Sequence, residues 1–149
     1  MKIHIASDHA GFELKEKIKQ FLSGLGHDVQ DHGAFEYDEK DDYPDFVHEA
    51  AKAVANDPER SRGVILGVSG QGEAMVANRY KGVRAAVYYG GPENIIKLSR
   101  EHNDANVLSL GARFVSGQEA LDMIKLWLDT EFSGEERHKR RIQKIEEGK

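Results

Sequence analysis

A glycine-rich turn in the middle of the chain combines residue types that proton-transfer chemistry needs. Residues 62–79 read RGVILGVSGQGEAMVANR: a short apolar run, a turn with three glycines, and a stretch that favours helix. In such a strand–turn–helix unit, the backbone N–H groups of the turn can hold an anion. Glu73 stands in the first helical turn. Its carboxylate either balances the helix dipole or moves a proton beside an oxyanion that those N–H groups hold.

The turn matches neither of the common phosphate-binding motifs for nucleotides. A Walker loop ends in Gly-Lys-Ser/Thr, and a dinucleotide-binding turn reads G-x-G-x-x-G. Residues 67–73 read GVSGQGE and fit neither pattern. A nucleotide-binding regulatory domain therefore has no support in this segment.

Further polar residues border the predicted strands. Asp8 and His9 directly follow the first strand, where an imidazole beside a carboxylate can serve as a proton shuttle and where an aspartate can equally cap the next helix. His102 precedes the fifth strand and Arg113 follows it; a polar loop and a solvated arginine are the ordinary alternatives. We expect His9, His102 and Arg113 to converge on one cleft, because one functional explanation then covers all three.

The C-terminal tail has the residue types that bind phosphate. Arg137 and Arg141 are spaced i, i+4 with His138 beside them, so a helix brings like charges to one face. The planar fork of arginine suits phosphate oxygens. Only Ile142 and Ile145 are available for burial in this helix. We therefore expect the tail to lean on a partner subunit.

The remaining pattern predicts the architecture that positions these residues. Strand and helix alternate five times at crossover length, with strands at 2–7, 27–32, 63–66, 83–88 and 106–110. This predicts an α/β fold: a doubly wound, Rossmann-like, five-stranded parallel sheet with helices on both faces and a C-terminal helical tail. We expect a single domain over residues 1–149, with the tail at 131–149 reaching a partner subunit. Ligands in such folds bind at the carboxyl ends of the strands.

Composition narrows the class of protein. The 149 residues carry a net charge of −5 and no cysteine, which argues against a nucleic-acid-binding face, disulfides and thiolate chemistry. No apolar run is long enough for a membrane span and no signal peptide is visible, so a cytoplasmic protein is expected. The seven histidines show neither H-x-H nor H-E-x-x-H spacing, so we expect no metal and no cofactor.

Several separate motifs together resemble ribose-5-phosphate isomerase type B and the wider group with the galactose-6-phosphate isomerase subunits. The similarity extends over nearly the whole chain, from about Ile3 to Ile145. The matching segments, in order, are SDHAG at 7–11, DYP at 42–44, SGQGE at 69–73, ANR at 77–79, EHN at 101–103 and RHKRR at 137–141. Their shared order and spacing make chance agreement implausible.

The resemblance implies an activity and a set of roles. The family interconverts aldose and ketose phosphates by ring opening and proton transfer through a cis-enediol(ate), without metal, in dimers sometimes paired into tetramers with sites at the subunit interface. Carried over to this chain, Asp8 and His102 assist ring opening, and Asn103 orients the sugar. Ser69 and the amides of Gly70, Gln71, Gly72 and Glu73 hold the enediolate, while His9, Arg113, Arg137, His138 and Arg141 grip the phosphate, the tail residues coming from the partner.

The chain departs from many family members at one position. They place a cysteine base directly after the third strand, where this sequence has Gly67. A second branch uses a glutamate at the end of the glycine turn, which corresponds to Glu73. The resemblance thus implies Glu73 as the base and ribose 5-phosphate as the substrate. The same chemistry on a hexose 6-phosphate, such as galactose or allose 6-phosphate, or on a tetrose phosphate is the alternative, and a non-catalytic sugar-phosphate binder is a second one.

Overall fold

The computed structural model describes residues 1–148, which form five strands and six α-helices. The strands are β1 (Lys2–Ser7), β2 (Asp28–Asp31), β3 (Ser61–Gly67), β4 (Ala85–Tyr88) and β5 (Val107–Gly111). The helices are α1 (Phe12–Gly24), α2 (Tyr43–Asn56), α3 (Gln71–Ala77), α4 (Asn94–Glu101), α5 (Gly117–Asp129) and α6 (Glu136–Glu147), with a short 3-10 helix at His9–Gly11. None of these helices is long and apolar enough to cross a membrane.

The strands form one parallel sheet in the order β2-β1-β3-β5-β4. Strand β2 lies at an edge, as its polar sequence predicts. The predicted doubly wound sheet is confirmed. Strand β4 is shorter than predicted because Val83 lies in a turn before the strand, where it is buried against α2 and α3.

Helices cover both faces of the sheet and bury an apolar core on each. One core joins α1, α4 and α5 to the sheet and is centred on Ile18, Ile96 and Trp127, all 1% exposed or less. The opposite core joins α2 and α3 to the sheet through small residues, among them Ala51 and Ala77. Their small side chains let α2 and α3 pack closely over the strands, which brings α3 against the carboxyl end of β3.

The topology creates a crevice between β1 and β3. After β1 the chain turns towards the β2 edge, and after β3 it turns towards the β4 edge. The two loops diverge, and ligands of doubly wound folds bind at such a switch point. Asp8 follows β1 and the glycine turn follows β3, so both candidate catalytic segments lie here.

The tail helix α6 packs on its own chain at the amino-terminal ends of the strands, on the side of the sheet opposite to the crevice. His138 is 2% exposed, and Glu146 accepts a hydrogen bond from the Gly82 amide at 3.1 Å and lies 3.8 Å from Arg84. These contacts supply the support that the apolar content of the helix lacks. Ile145 remains about half exposed.

Candidate active site

The Glu73 carboxylate is buried at the carboxyl end of β3, directly against Gly67. Its residue is only 4% exposed, although it lies in the first turn of α3. A Cβ atom added to Gly67 would overlap the carboxylate, so the side chain occupies the volume that any larger residue at position 67 would need. Burial raises the pKa of Glu73, and the neighbouring Asp8 carboxylate raises it further. A dipole-stabilising glutamate would sit in solvent, whereas this one is withdrawn into the crevice.

Asp8 lies across the crevice as a second buried carboxylate. Its Oδ1 accepts a hydrogen bond from the Ala10 amide at 3.0 Å, so the capping role considered from the sequence is real. Burial raises the pKa of Asp8, and the carboxylate of Asp41 adds to this increase. Two carboxyl groups with raised pKa values at one crevice can divide the work of acid and base between them.

The glycine turn is held rigidly between β3 and β5. Gly70 has φ +76°, which favours glycine, and its carbonyl accepts a hydrogen bond from the Ser109 hydroxyl at 2.5 Å. A Cβ at Gly70 would also meet the Leu110 carbonyl carbon at 3.0 Å. Ser69 Oγ accepts a 3.4 Å hydrogen bond from the Gln71 amide.

Gly72 completes the turn by making room for Tyr43. A Cβ on Gly72 would overlap the Tyr43 phenol, so the absence of a side chain lets the start of α2 pack on the start of α3. The backbone amides of residues 70–73 are thereby fixed before any ligand arrives. Such preorganised donors are what stabilisation of an oxyanion requires.

His9 and Arg113 lie at the carboxyl ends of the strands, as Glu73 does. His9 Nδ1 is 2.6 Å from Asp41 Oδ1, and this hydrogen bond raises the pKa of His9. Arg113 is exposed after β5 and lies close enough to His9 to oppose that increase. The pair offers two cationic groups that suit an anionic ligand.

His102 lies away from this group, at the amino-terminal edge of the sheet. It ends α4 and stacks on His138 of α6, with ring centroids 4.2 Å apart and planes at 15°. The expectation that His9, His102 and Arg113 meet in one cleft is therefore wrong within a single chain. The error has a simple cause: His102 precedes β5 whereas Arg113 follows it, and five residues of strand separate the two ends.

The other tail residues belong to this second group. Arg137 and Arg141 are exposed, and Arg137 pairs with Glu135 at 2.7 Å. Asn103 is exposed next to His102, and its carbonyl accepts a hydrogen bond from Arg84 at 3.0 Å. The predicted site residues therefore form two groups. One lies at the carboxyl ends of the strands and the other at their amino-terminal ends.

His138 is buried, unlike Arg137 and Arg141 of the same helix. Its Nε2 atom is buried without a hydrogen-bond partner and lies 4.0 Å from Glu135. Burial lowers the pKa of His138, and His102 lowers it further. In the single chain its ring supports His102.

Asp41 was not singled out from the sequence, which shows it only as part of an acidic loop. With Asp8 and His9 it forms the one group in residues 1–148 whose ligand atoms, within 4.8 Å of one another, could hold a metal ion. No histidine spacing reveals this group, since the His9–Asp41 contact spans 32 residues. In the structure Asp41 is occupied as a hydrogen-bond acceptor for His9.

Comparison with known proteins identifies the family. Residues 3–145 match the family described as Ribose/Galactose Isomerase. The chain is 42% identical over 142 residues to the ribose-5-phosphate isomerase B of Mycolicibacterium paratuberculosis, covering 95% of this chain and 87% of that protein. The chain belongs to the ribose/galactose isomerase family, and its enzyme class is that of the aldose–ketose isomerases.

Solved structures agree with this assignment. Ribose-5-phosphate isomerase B from Mycoplasma genitalium, crystallised with bound ribulose 5-phosphate, superposes with a TM-score of 0.94 at 39% identity, over 99% of this chain and 95% of that one. The ribose-5-phosphate isomerase B of Clostridium thermocellum gives 0.91 at 44% identity, over 99% and 96%. The predicted resemblance and fold class are thereby confirmed.

Proposed function

We propose that this enzyme interconverts ribose 5-phosphate and ribulose 5-phosphate through a cis-enediol(ate), with Glu73 as the base. The observation that carries the proposal is the buried Glu73 carboxylate, lodged against Gly67 at the switch point of the sheet. The named activity of the relatives supports the choice of a pentose phosphate. A raised pKa suits a general base, because it brings the group closer to the working pH.

The proton transfer needs only groups that the crevice contains. Glu73 takes the proton from C2 of the open-chain aldose, and the electron pair forms the C1–C2 double bond of the enediolate. The amides of residues 70–73, with the hydroxyl of Ser69, hold the negative oxygen. A proton then passes from the hydroxyl on C2 to the negative oxygen on C1. Glu73 returns the carbon-bound proton to C1 as the C2 carbonyl forms, which gives the ketose. No net oxidant or reductant is consumed, since the hydrogen only changes carbon.

Ring opening and phosphate binding draw on both groups of residues. Asp8, beside the crevice, and His102 exchange protons with the ring oxygen and the anomeric hydroxyl, and Asn103 orients the sugar. His9 and Arg113 bind the phosphate together with residues of α6: Arg137, His138 and Arg141. Binding the phosphate away from the reacting carbons positions C1 and C2 for the base.

A second copy of the chain completes each site in this proposal. Within one chain, the two groups of site residues lie at opposite edges of the sheet, so one sugar phosphate cannot touch both. In a homodimer with shared sites, Glu73 and Asp8 of one subunit meet His102 and the α6 arginines of the other. The exposure of Arg137 and Arg141 supports this arrangement, since both side chains are available to a neighbour.

Another sugar phosphate is the main competing substrate. Val68 and Tyr89 border the crevice, and Tyr89 is 53% exposed beside Phe114, with ring centroids 6.3 Å apart. This open border leaves room for a hexose 6-phosphate as well as for a shorter tetrose phosphate. Turnover measured on ribose 5-phosphate, galactose 6-phosphate, allose 6-phosphate and a tetrose phosphate identifies the preferred substrate. We expect the highest kcat/KM with ribose 5-phosphate; a higher value with any other sugar would overturn the assignment.

A non-catalytic sugar-phosphate binder is disfavoured by the same buried carboxylates. A phosphate binder needs cations, whereas burying both Glu73 and Asp8 at one crevice costs stability without helping to bind an anion. The turnover assay also tests this alternative. Tight binding of ribose 5-phosphate with no isomer formed would establish it.

A further inference from the structure

Asp41 makes an unusually close contact with His9 for a residue of an exposed loop. Its Oδ1 atom accepts two hydrogen bonds from His9, one from the backbone N–H at 3.1 Å and one from ring Nδ1 at 2.6 Å. The Asp41 side chain is 8% exposed, whereas residues 35–40 of the same loop are exposed. Asp41 is thus turned inward, and its Oδ2 atom is buried without a hydrogen-bond partner.

The local backbone explains this inward orientation. The Asp41 amide donates to the Asp38 carbonyl at 3.1 Å, closing a turn just before α2 begins. The other end of the loop is anchored by Lys15, which is fully buried and donates to the Ala34 carbonyl at 2.6 Å. Burying a carboxylate is costly unless a partner compensates it. The partner that compensates Asp41 is His9.

We propose that Asp41 is a positioning residue for His9: it holds Nδ1–H and so directs Nε2–H towards the phosphate of the substrate. This proposal rests on the proposed function, since it assumes that His9 binds phosphate. An imidazole with one nitrogen bonded to a carboxylate has a defined orientation and tautomer. The Tyr37 ring lies perpendicular to the His9 ring, with centroids 6.1 Å apart, and restrains the imidazole further.

The charges around His9 determine how binding depends on pH. Asp41 and Asp8 both favour the imidazolium, whereas Arg113 opposes it. The pKa of His9 is raised in the folded protein, with the Asp41 hydrogen bond as the largest favourable cause. Its positive charge is therefore present at low pH and persists above the ordinary value of about 6.5, until pH rises through the raised pKa. Removing Asp41 should move this loss of charge to lower pH.

The test replaces Asp41 with asparagine, which keeps the shape but removes the charge. Loss of one charge-assisted hydrogen bond at the phosphate site should raise the KM for ribose 5-phosphate about 10-fold with kcat nearly unchanged. The rise of KM with pH should begin at lower pH in Asp41→Asn than in the wild type. NMR titration of the His9 ring should show a lower pKa in the variant. Asp38→Asn, an exposed carboxylate of the same loop, is the matched control and should change none of these.

Two outcomes would overturn the proposal. One is a His9 pKa and a KM–pH profile that are the same in Asp41→Asn and in the wild type. The other is a set of ring ¹⁵N shifts in the wild type that put the proton of neutral His9 on Nε2 and leave Nδ1 without a proton. This second measurement needs no variant, so it remains decisive if Asp41→Asn does not fold. The NMR measurements involve no turnover. An inactive protein with the expected His9 shifts would therefore refute the proposed function and leave the Asp41–His9 pairing intact.

Discussion

Replacing Gly67 with alanine should disable the enzyme although no charged residue is replaced. The added methyl group would overlap the Oε1 and Cδ atoms of Glu73, and its nearest approach to Oε2 would be 2.8 Å. Ordinary van der Waals contact begins near 3.4 Å, so the carboxylate must withdraw. A displacement on the order of 1 Å at a catalytic group can cost about 10²-fold in rate. We expect kcat to fall by about that factor, with KM little changed because the phosphate-binding residues stay in place.

The design of this experiment separates displacement of Glu73 from general damage. Steady-state turnover of ribose 5-phosphate gives kcat and KM, and thermal unfolding reports on the fold. Gly63→Ala is the matched control: its methyl lies in the same strand but meets Val107 at 2.9 Å, away from the carboxylate. This control should lower the melting temperature at least as much as Gly67→Ala and spare kcat.

A double-mutant cycle completes the argument. If Gly67→Ala acts only by moving Glu73, it should cost almost nothing further when added to Glu73→Gln, because the two effects share one cause. Additive losses in kcat would refute the reasoning, as would a Gly67→Ala enzyme with wild-type kcat. Either result would mean that the contact between Gly67 and Glu73 has no part in catalysis.

The remaining predictions concern the dependence of activity on metal and the sharing of sites between subunits. Exhaustive chelation should leave kcat unchanged, because backbone N–H groups hold the enediolate charge; activity lost on chelation and regained only with added metal would point instead to the Asp8–His9–Asp41 group. We also expect activity to return when two inactive variants, Glu73→Gln and Arg137→Ala/Arg141→Ala, are unfolded, mixed in equal amounts and refolded together. About half of the dimers are then hybrids and half of the sites in each hybrid are intact, so roughly a quarter of wild-type activity should be recovered. Hybrids that form without recovering activity would assign α6 to its own chain's site.

The sheet and the glycine turn could be predicted because their signals are local. Apolar runs followed by helical periodicity identify each strand and helix, and parallel topology then brings the loops after β1 and β3 together. Glu73 could be chosen for the same reason, since it lies a few residues from β3 in an unusual turn. Its burial against Gly67 could not be predicted, because it depends on how α3 packs under α2.

The long-range contacts escaped prediction for a different reason. His102 and His138 are 36 residues apart, and no periodicity indicates that their rings stack. Asp41 looks like its acidic neighbours in the loop, and only the fold selects it as the partner of His9. Both pairs depend on how an irregular segment or a tail returns to the sheet.

The kcat of Glu73→Gln tests the central claim most directly. Glutamine keeps the size of the side chain and its place beside Gly67 but cannot accept the C2 proton. A positioned general base contributes about 10²–10⁴-fold, so kcat should fall by at least that range while the affinity for ribose 5-phosphate is retained. Near-wild-type kcat in Glu73→Gln would contradict the account and would turn attention to Asp8, the other buried carboxylate of the crevice.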